Sequence, residues 1–169
     1  MTSARGGDDD NSYPVPSKRI LNLRDPTAKM SKSHPSVQSR IVLTDSPKEI
    51  ISKLKSAVTD SESSITFDPE LRPGVANLLT IWSALDSAGR SPEQLAEEAD
   101  RNGWGMGKLK GAVGEVVVEG MKDVRGEYER VRQEHGYLSE VAKKGRETAA
   151  AKARETMDEV RKVIGLDRI

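Results

Sequence analysis

The sequence has no cysteine, which excludes disulfides and thiolate metal sites. Its only histidines, His34 and His135, lie far apart, so a histidine-built metal site is not expected. Aromatic residues are scarce, with one Phe, two Trp and three Tyr among 169 residues, so the core must be mostly aliphatic. No apolar run approaches the roughly 20 residues that a membrane-crossing helix needs. Nor is there an excess of either charge: 27 Lys and Arg face 27 Asp and Glu. Net charge therefore gives no pointer to nucleic acid, and any basic surface has to come from local clustering.

Residues 1–17 read MTSARGGDDDNSYPVPS and offer almost nothing to bury, so a disordered tail is expected there. The tail lacks the apolar stretch of a secretory signal, and Asp8, Asp9 and Asp10 are unlike a transit peptide. Ile20, Leu21 and Leu23 then suit a brief strand. Arg24 to Ser39, rich in Pro, Ser and Lys, reads as a loop.

Helical signals start at Ser46-Pro47-Lys48-Glu49, which has the form of a capping box with Pro at the first helical position. Ile50, Ile51, Leu54, Ala57 and Val58 follow at helical spacing. Val75, Leu78, Leu79, Trp82 and Leu85 make a second stripe, with Gly89 as its stop. Ser91-Pro92-Glu93-Gln94 repeats the capping pattern ahead of Leu95, Ala96 and Ala99. A fourth stripe runs from Trp104 through Leu109, Val113, Val117, Met121 and Val124 to Val131. The glycines within it cost intrinsic helicity, about 1 kcal/mol each, unless a neighbouring helix makes use of them. The last helix is expected from about Leu138 to Ile164, with Val141, Ala149, Ala153, Met157, Val160, Val163 and Ile164 facing inward. The expectation is a mainly α protein, a bundle of about five helices behind a loop-rich segment. Trp82 and Trp104 lie on apolar stripes and are expected in the core.

Lys29-Met30-Ser31-Lys32-Ser33 is the one segment that suggests chemistry. Two lysines three positions apart, among small hydroxyl residues, supply charge and hydrogen-bond donors for a polyphosphate. A loop can close over that tail as negative charge develops on it. Met30 adds an apolar surface for a flat base. A solvated polar loop is the alternative reading of the same five residues.

The surroundings carry a resemblance. Arg19-Ile20-Leu21-Asn22-Leu23-Arg24-Asp25-Pro26-Thr27-Ala28 leads directly into the KMSKS pentapeptide. Thr44 to Ile50, Ala57-Val58-Thr59-Asp60-Ser61, Asp68-Pro69-Glu70, Arg72 to Leu79 and Glu115 to Glu119 follow in order. Over residues 18–169 the chain resembles the bacterial and mitochondrial tryptophanyl-tRNA synthetases, which are class I aminoacyl-tRNA synthetases.

The resemblance implies an ATP-dependent tryptophan–tRNA ligase. ATP is its substrate, accompanied by Mg2+, and its partners are tRNA-Trp and tryptophan. Lys29 and Lys32 would be catalytic, holding the phosphates and stabilising the departing pyrophosphate. Ser31 and Ser33 would add hydrogen bonds, while Met30 and Ile20 would lie near the adenine. His34 stands where the family often has Asp, and it reads as a loop residue. Only 28 residues precede Lys29, too few for the Rossmann domain that completes a class I site. The chain is therefore expected to be the C-terminal part of a longer protein and inactive alone. Residues 18–45 would be a remnant of the catalytic domain and 46–169 the helical tRNA-binding region. The family is homodimeric, and this chain is expected to self-associate weakly or not at all. A eukaryotic source would place it in the mitochondrial matrix, and a bacterial one in the cytoplasm. The competing reading is a non-catalytic helical module that binds RNA or a protein partner.

Overall fold

In the computed structural model, residues 19–166 are described, so the expected tail lies outside them. The polypeptide divides into two units at residues 122 and 123.

The first unit is built by α1 (Pro47–Lys55), α2 (Pro73–Leu85), α3 (Pro92–Arg101) and α4 (Met106–Gly120). Both expected capping boxes form. The Ser46 hydroxyl accepts from the Glu49 amide while the Glu49 carboxylate accepts from the Ser46 amide, and Ser91 and Gln94 repeat the exchange. Such a box satisfies two of the donors that a helix start leaves unpaired.

Helix α2 is the spine. Gly74 through Trp82 are all buried, as a helix apolar on every side should be. It packs against α3 and α4, and α4 packs in turn on α1. Leu54, Leu79, Leu95 and Leu109 are completely buried in the resulting core. Each contributes about 2 kcal/mol by leaving water.

Close approach requires glycine at Gly74, whereas Gly114 has only an ordinary contact. A Cβ on Gly74 would come within 2.3 Å of the Val58 carbonyl oxygen, and one on Gly114 would meet Ile51 of α1 at 3.4 Å. Gly111 and Gly126 face open space, so helix contact is not their reason. Trp82 is buried, and Trp104, partly buried against the same core, stacks on it with ring centroids 5.6 Å apart.

The segment between α1 and α2 has no regular structure but is stapled down. Arg72, 5% exposed, grips Asp60 with two bonds of 2.9 and 2.6 Å. It also donates to the Ser64 carbonyl and the Thr66 hydroxyl. The Arg72 guanidinium holds the Asp60 carboxyl below the usual carboxylate range. Asp45 and Lys53 form a second buried pair at 2.6 Å, and the same Asp45 oxygen accepts from the Val42 amide.

The second unit holds α5 (Lys122–Gln133) and α6 (His135–Val163). The fourth stripe is therefore two helices rather than one, because the chain leaves helical form at Met121, which caps α4 through the Glu119 and Val117 carbonyls. This raises the count among the described residues from the expected five α-helices to six. The inward face expected for the last helix is not buried. Val141, Met157, Val160, Val163 and Ile164 are all exposed, as are Ala149 and Ala153. Periodicity shows that a helix has an apolar face, not that a partner lies within reach. Two of its basic residues pair along the helix, Lys152 with Glu155 and Arg161 with Asp158. His135 opens α6, where the dipole disfavours a cation. No helix among the described residues is long and apolar enough to cross a membrane.

Candidate functional site

The KMSKS segment is the second arm of a small hairpin. The Asn22 amide donates to the Ala28 carbonyl and the Met30 amide to the Ile20 carbonyl, both at 2.9 Å, which sets Leu21 opposite Lys29. The expected strand at Ile20–Leu23 is thus reduced to one antiparallel bridge. The ladder stops because Leu23 is used elsewhere: its amide donates to the Ser39 carbonyl and its carbonyl accepts from the Val58 amide.

Side chains set the turn. The Asn22 Oδ1 accepts from the amides of Arg24 and Asp25, and the Asp25 carboxylate accepts from the Thr27 hydroxyl at 2.6 Å and the Thr27 amide at 3.1 Å. Hydrogen bonding to Thr27 holds the Asp25 carboxyl below its ordinary range.

Asn77 fixes the hairpin to the core. From the buried face of α2, its Oδ1 accepts from the Leu21 amide at 2.9 Å and its Nδ2 donates to the Leu21 carbonyl at 3.1 Å. One side chain thereby reproduces the bonding of a neighbouring strand. Its role was not read from the sequence. The signal was there, as a lone carboxamide inside Val75-Ala76-Asn77-Leu78-Leu79, because a buried polar group must find a partner.

The hairpin brings Ile20, Lys29 and Met30 together. Ile20 and Met30 are partly buried against the core, so only part of Met30 is available to a base. Lys29 and Lys32 are exposed, and among the described residues neither takes part in an ion pair. Beyond Met30 the hydroxyls of Ser31 and Ser33 lie 3.0 Å apart. The His34 amide donates to the Ser31 carbonyl at 3.4 Å, its Nδ1 accepts from the Ser36 amide, and its carbonyl accepts from Arg40 at 2.7 Å. His34 therefore shapes the exit of the loop, in keeping with its reading as a loop residue. The arrangement is two free ammonium groups and two hydroxyls on an exposed loop with an anchored base, which suits an incoming polyphosphate.

The family model for class I tRNA synthetases (W and Y) matches residues 11–120. The chain belongs to that family.

Curated relatives named tryptophan–tRNA ligase include proteins of Wolinella succinogenes, 43% identical over 148 residues, and Bacillus subtilis, 42% identical over 151. These alignments cover 88% and 89% of this chain, and the chain spans 44% of the length of each relative. Among solved structures, tryptophanyl-tRNA synthetase from Mycoplasma pneumoniae superposes with a TM-score of 0.66 at 29% identity, over 88% of this chain and 44% of that one. The Campylobacter jejuni synthetase, solved with ADP and tryptophan, gives 0.65 at 27% identity over the same shares.

Seen as part of a class I synthetase, the other segments that carried the resemblance take structural places. Asp60 and Arg72 staple the segment ahead of α2. Phe67, Pro69, Pro73, Ala76 and Asn77 line, with Arg19 and Leu21, a depression of about 260 Å³ beside the hairpin.

Proposed function

We propose that this chain supplies the phosphate-gripping loop and the helical region of a tryptophan–tRNA ligase. The observation that carries this reading is the KMSKS hairpin, bound to α2 by Asn77 with both lysines exposed, in a chain about 40% identical to tryptophan–tRNA ligases.

In the first step a tryptophan carboxylate oxygen attacks the α-phosphorus of ATP. The bond to the bridging oxygen breaks and pyrophosphate leaves with the electron pair. Lys29 and Lys32 offset the charge that grows on it, and Ser31 and Ser33 donate hydrogen bonds. Ile20 and the open part of Met30 form an apolar edge for adenine. In the second step the terminal ribose hydroxyl of tRNA-Trp takes the aminoacyl group and AMP departs. Mg2+ enters with the ATP phosphates as part of the substrate, and no residue of this chain is assigned to it.

Residues 18–45 are read as belonging to the catalytic domain and 46–169 as the tRNA-binding region. Weak or no self-association belongs to the same reading. The relatives reported above are bacterial, which favours a cytoplasmic setting; the mitochondrial alternative draws no support from them.

The test is a chimera in which residues 19–166 replace the matching segment of the Bacillus subtilis relative. Tryptophan-dependent ATP–pyrophosphate exchange within tenfold of the parent is expected. A folded chimera that binds tRNA-Trp yet exchanges nothing would favour the non-catalytic module instead.

A further inference from the structure

Leu21 is the middle member of a three-part ladder. In an antiparallel pair, residues directly opposite each other alternate between exchanging both backbone bonds and exchanging none. Leu21 and Lys29 are a pair of the second kind, because the bonds across the hairpin run from the Asn22 amide and to the Ile20 carbonyl. The Leu21 amide and carbonyl therefore point away from the KMSKS arm, toward the edge where a sheet would add a further strand. Asn77 occupies that edge and takes both groups, at 2.9 and 3.1 Å.

Helix α2 holds the same arm a second time. Gly74 and Asn77 are three positions apart and share a face of the helix. The bare backbone at Gly74 lets the Val58 carbonyl approach, and the Val58 amide donates to the Leu23 carbonyl at 2.7 Å. One turn of α2 thus holds the arm directly at Leu21 and through Val58 at Leu23.

Lys29 inherits this placement. Its neighbours Ala28 and Met30 carry the two ladder bonds, so its backbone is fixed on both sides while its side chain stays exposed. Lys32 lies two residues past Met30, beyond the last bond of the ladder. A carboxamide is also an unexpected choice at position 77. It is 5% exposed on a helix whose neighbouring positions are all buried and where an apolar side chain would pack at no polar cost. Both of its hydrogen bonds end on Leu21, so its use lies in the hairpin.

We propose that Asn77 is a positioning residue for adenylate formation: by holding the backbone of Leu21, it fixes where Lys29 meets the phosphates. This rests on the synthetase reading above. The charge facing Lys29 grows as the phosphate bond breaks, so a displaced Lys29 is felt in turnover more than in ATP binding.

The test has two parts. In the full 169-residue chain, Asn77→Ala should speed hydrogen exchange at the Asn22 and Met30 amides at least tenfold more than at the amides of α3. Asn77 borders the depression beside the hairpin, so water can replace its carboxamide at Leu21 and the helices are kept, as circular dichroism would check. Should the alanine variant not fold, Asn77→Asp, which retains the acceptor for the Leu21 amide and loses only the donor, is read in the same way.

In the chimera, Asn77→Ala should lower kcat for tryptophan-dependent pyrophosphate exchange by about 10–100-fold, with the KM for ATP changed less than about threefold. In a Lys29→Ala background the same change should cost less than about threefold, whereas in a Lys32→Ala background it should keep most of its effect. Val117→Ala, a truncation of the buried core on α4, should leave kcat within twofold.

Unaltered hydrogen exchange at Asn22 and Met30 overturns the proposal. So does a kcat loss no larger than that of Val117→Ala, full additivity with Lys29→Ala, or a raised KM with kcat unchanged. Each of these leaves the synthetase reading standing. A parent chimera without activity removes the synthetase reading, and this proposal with it.

Discussion

Lys32→Ala in the chimera is expected to lower the turnover of tryptophan-dependent pyrophosphate exchange by about 10²–10³-fold, the usual loss when a preorganised group facing developing charge is removed. Lys32 lies at the exposed bend of the loop and pairs with no carboxylate among the described residues, so its charge is free for a ligand. A cation that acts on the departing pyrophosphate makes most of its interaction after bond breaking begins. The loss should therefore fall on kcat, with the KM for ATP changed little. Lys32→Arg keeps the charge but replaces a compact ammonium with a broad fork, and it should recover only part of the rate. A tenfold rise in KM with kcat unchanged would show that Lys32 only helps ATP to bind. Unchanged kinetics in a folded chimera would remove it from the site.

Arg72→Met is expected to destabilise the first unit by about 2 kcal/mol, read from the urea midpoint. Most of this loss comes from the buried end of the pair: Arg72 is buried and its removal leaves the Ser64 carbonyl and Thr66 hydroxyl without their donor, whereas Asp60 is open to water. This guanidinium donates four bonds, to Asp60, Ser64 and Thr66, and together they hold the segment between α1 and α2.

The pair also fixes a pH dependence. Because hydrogen bonding to Arg72 depresses the Asp60 pKa, the pair's contribution is present above the unfolded carboxylate value of about 3.9 and is lost as pH falls through the lower folded value. Wild type should therefore lose stability more steeply than Arg72→Met below about pH 4. Parallel acid profiles for the two would show that Arg72 contributes packing and no charge pairing.

Much of this was legible in the sequence, for local reasons. Both capping boxes are spelled out within four residues, and both form. The stripes of α2 and α3 turned inward, Leu85 at the end of α2 excepted, because these helices have neighbours on the expected faces. The KMSKS loop was readable as a loop because Pro, Ser and Lys oppose both helix and strand.

What was not legible depends on distant residues. Nothing near Leu21 shows that Asn77, 56 positions later, completes its hydrogen bonds. Asp60 and Arg72 drew notice only as parts of motifs, whereas their pairing is a contact in space. The stripe of α6 was read as buried by period alone, and Val163 is 87% exposed.

The most direct test of the central idea, that this loop grips phosphates, is to titrate the isotope-labelled chain with inorganic pyrophosphate and follow its NMR signals. The expected result is that the amides of Met30 to Ser33 and the side chains of Lys29 and Lys32 move together and saturate. Loop signals that stay unchanged at saturating pyrophosphate would contradict it.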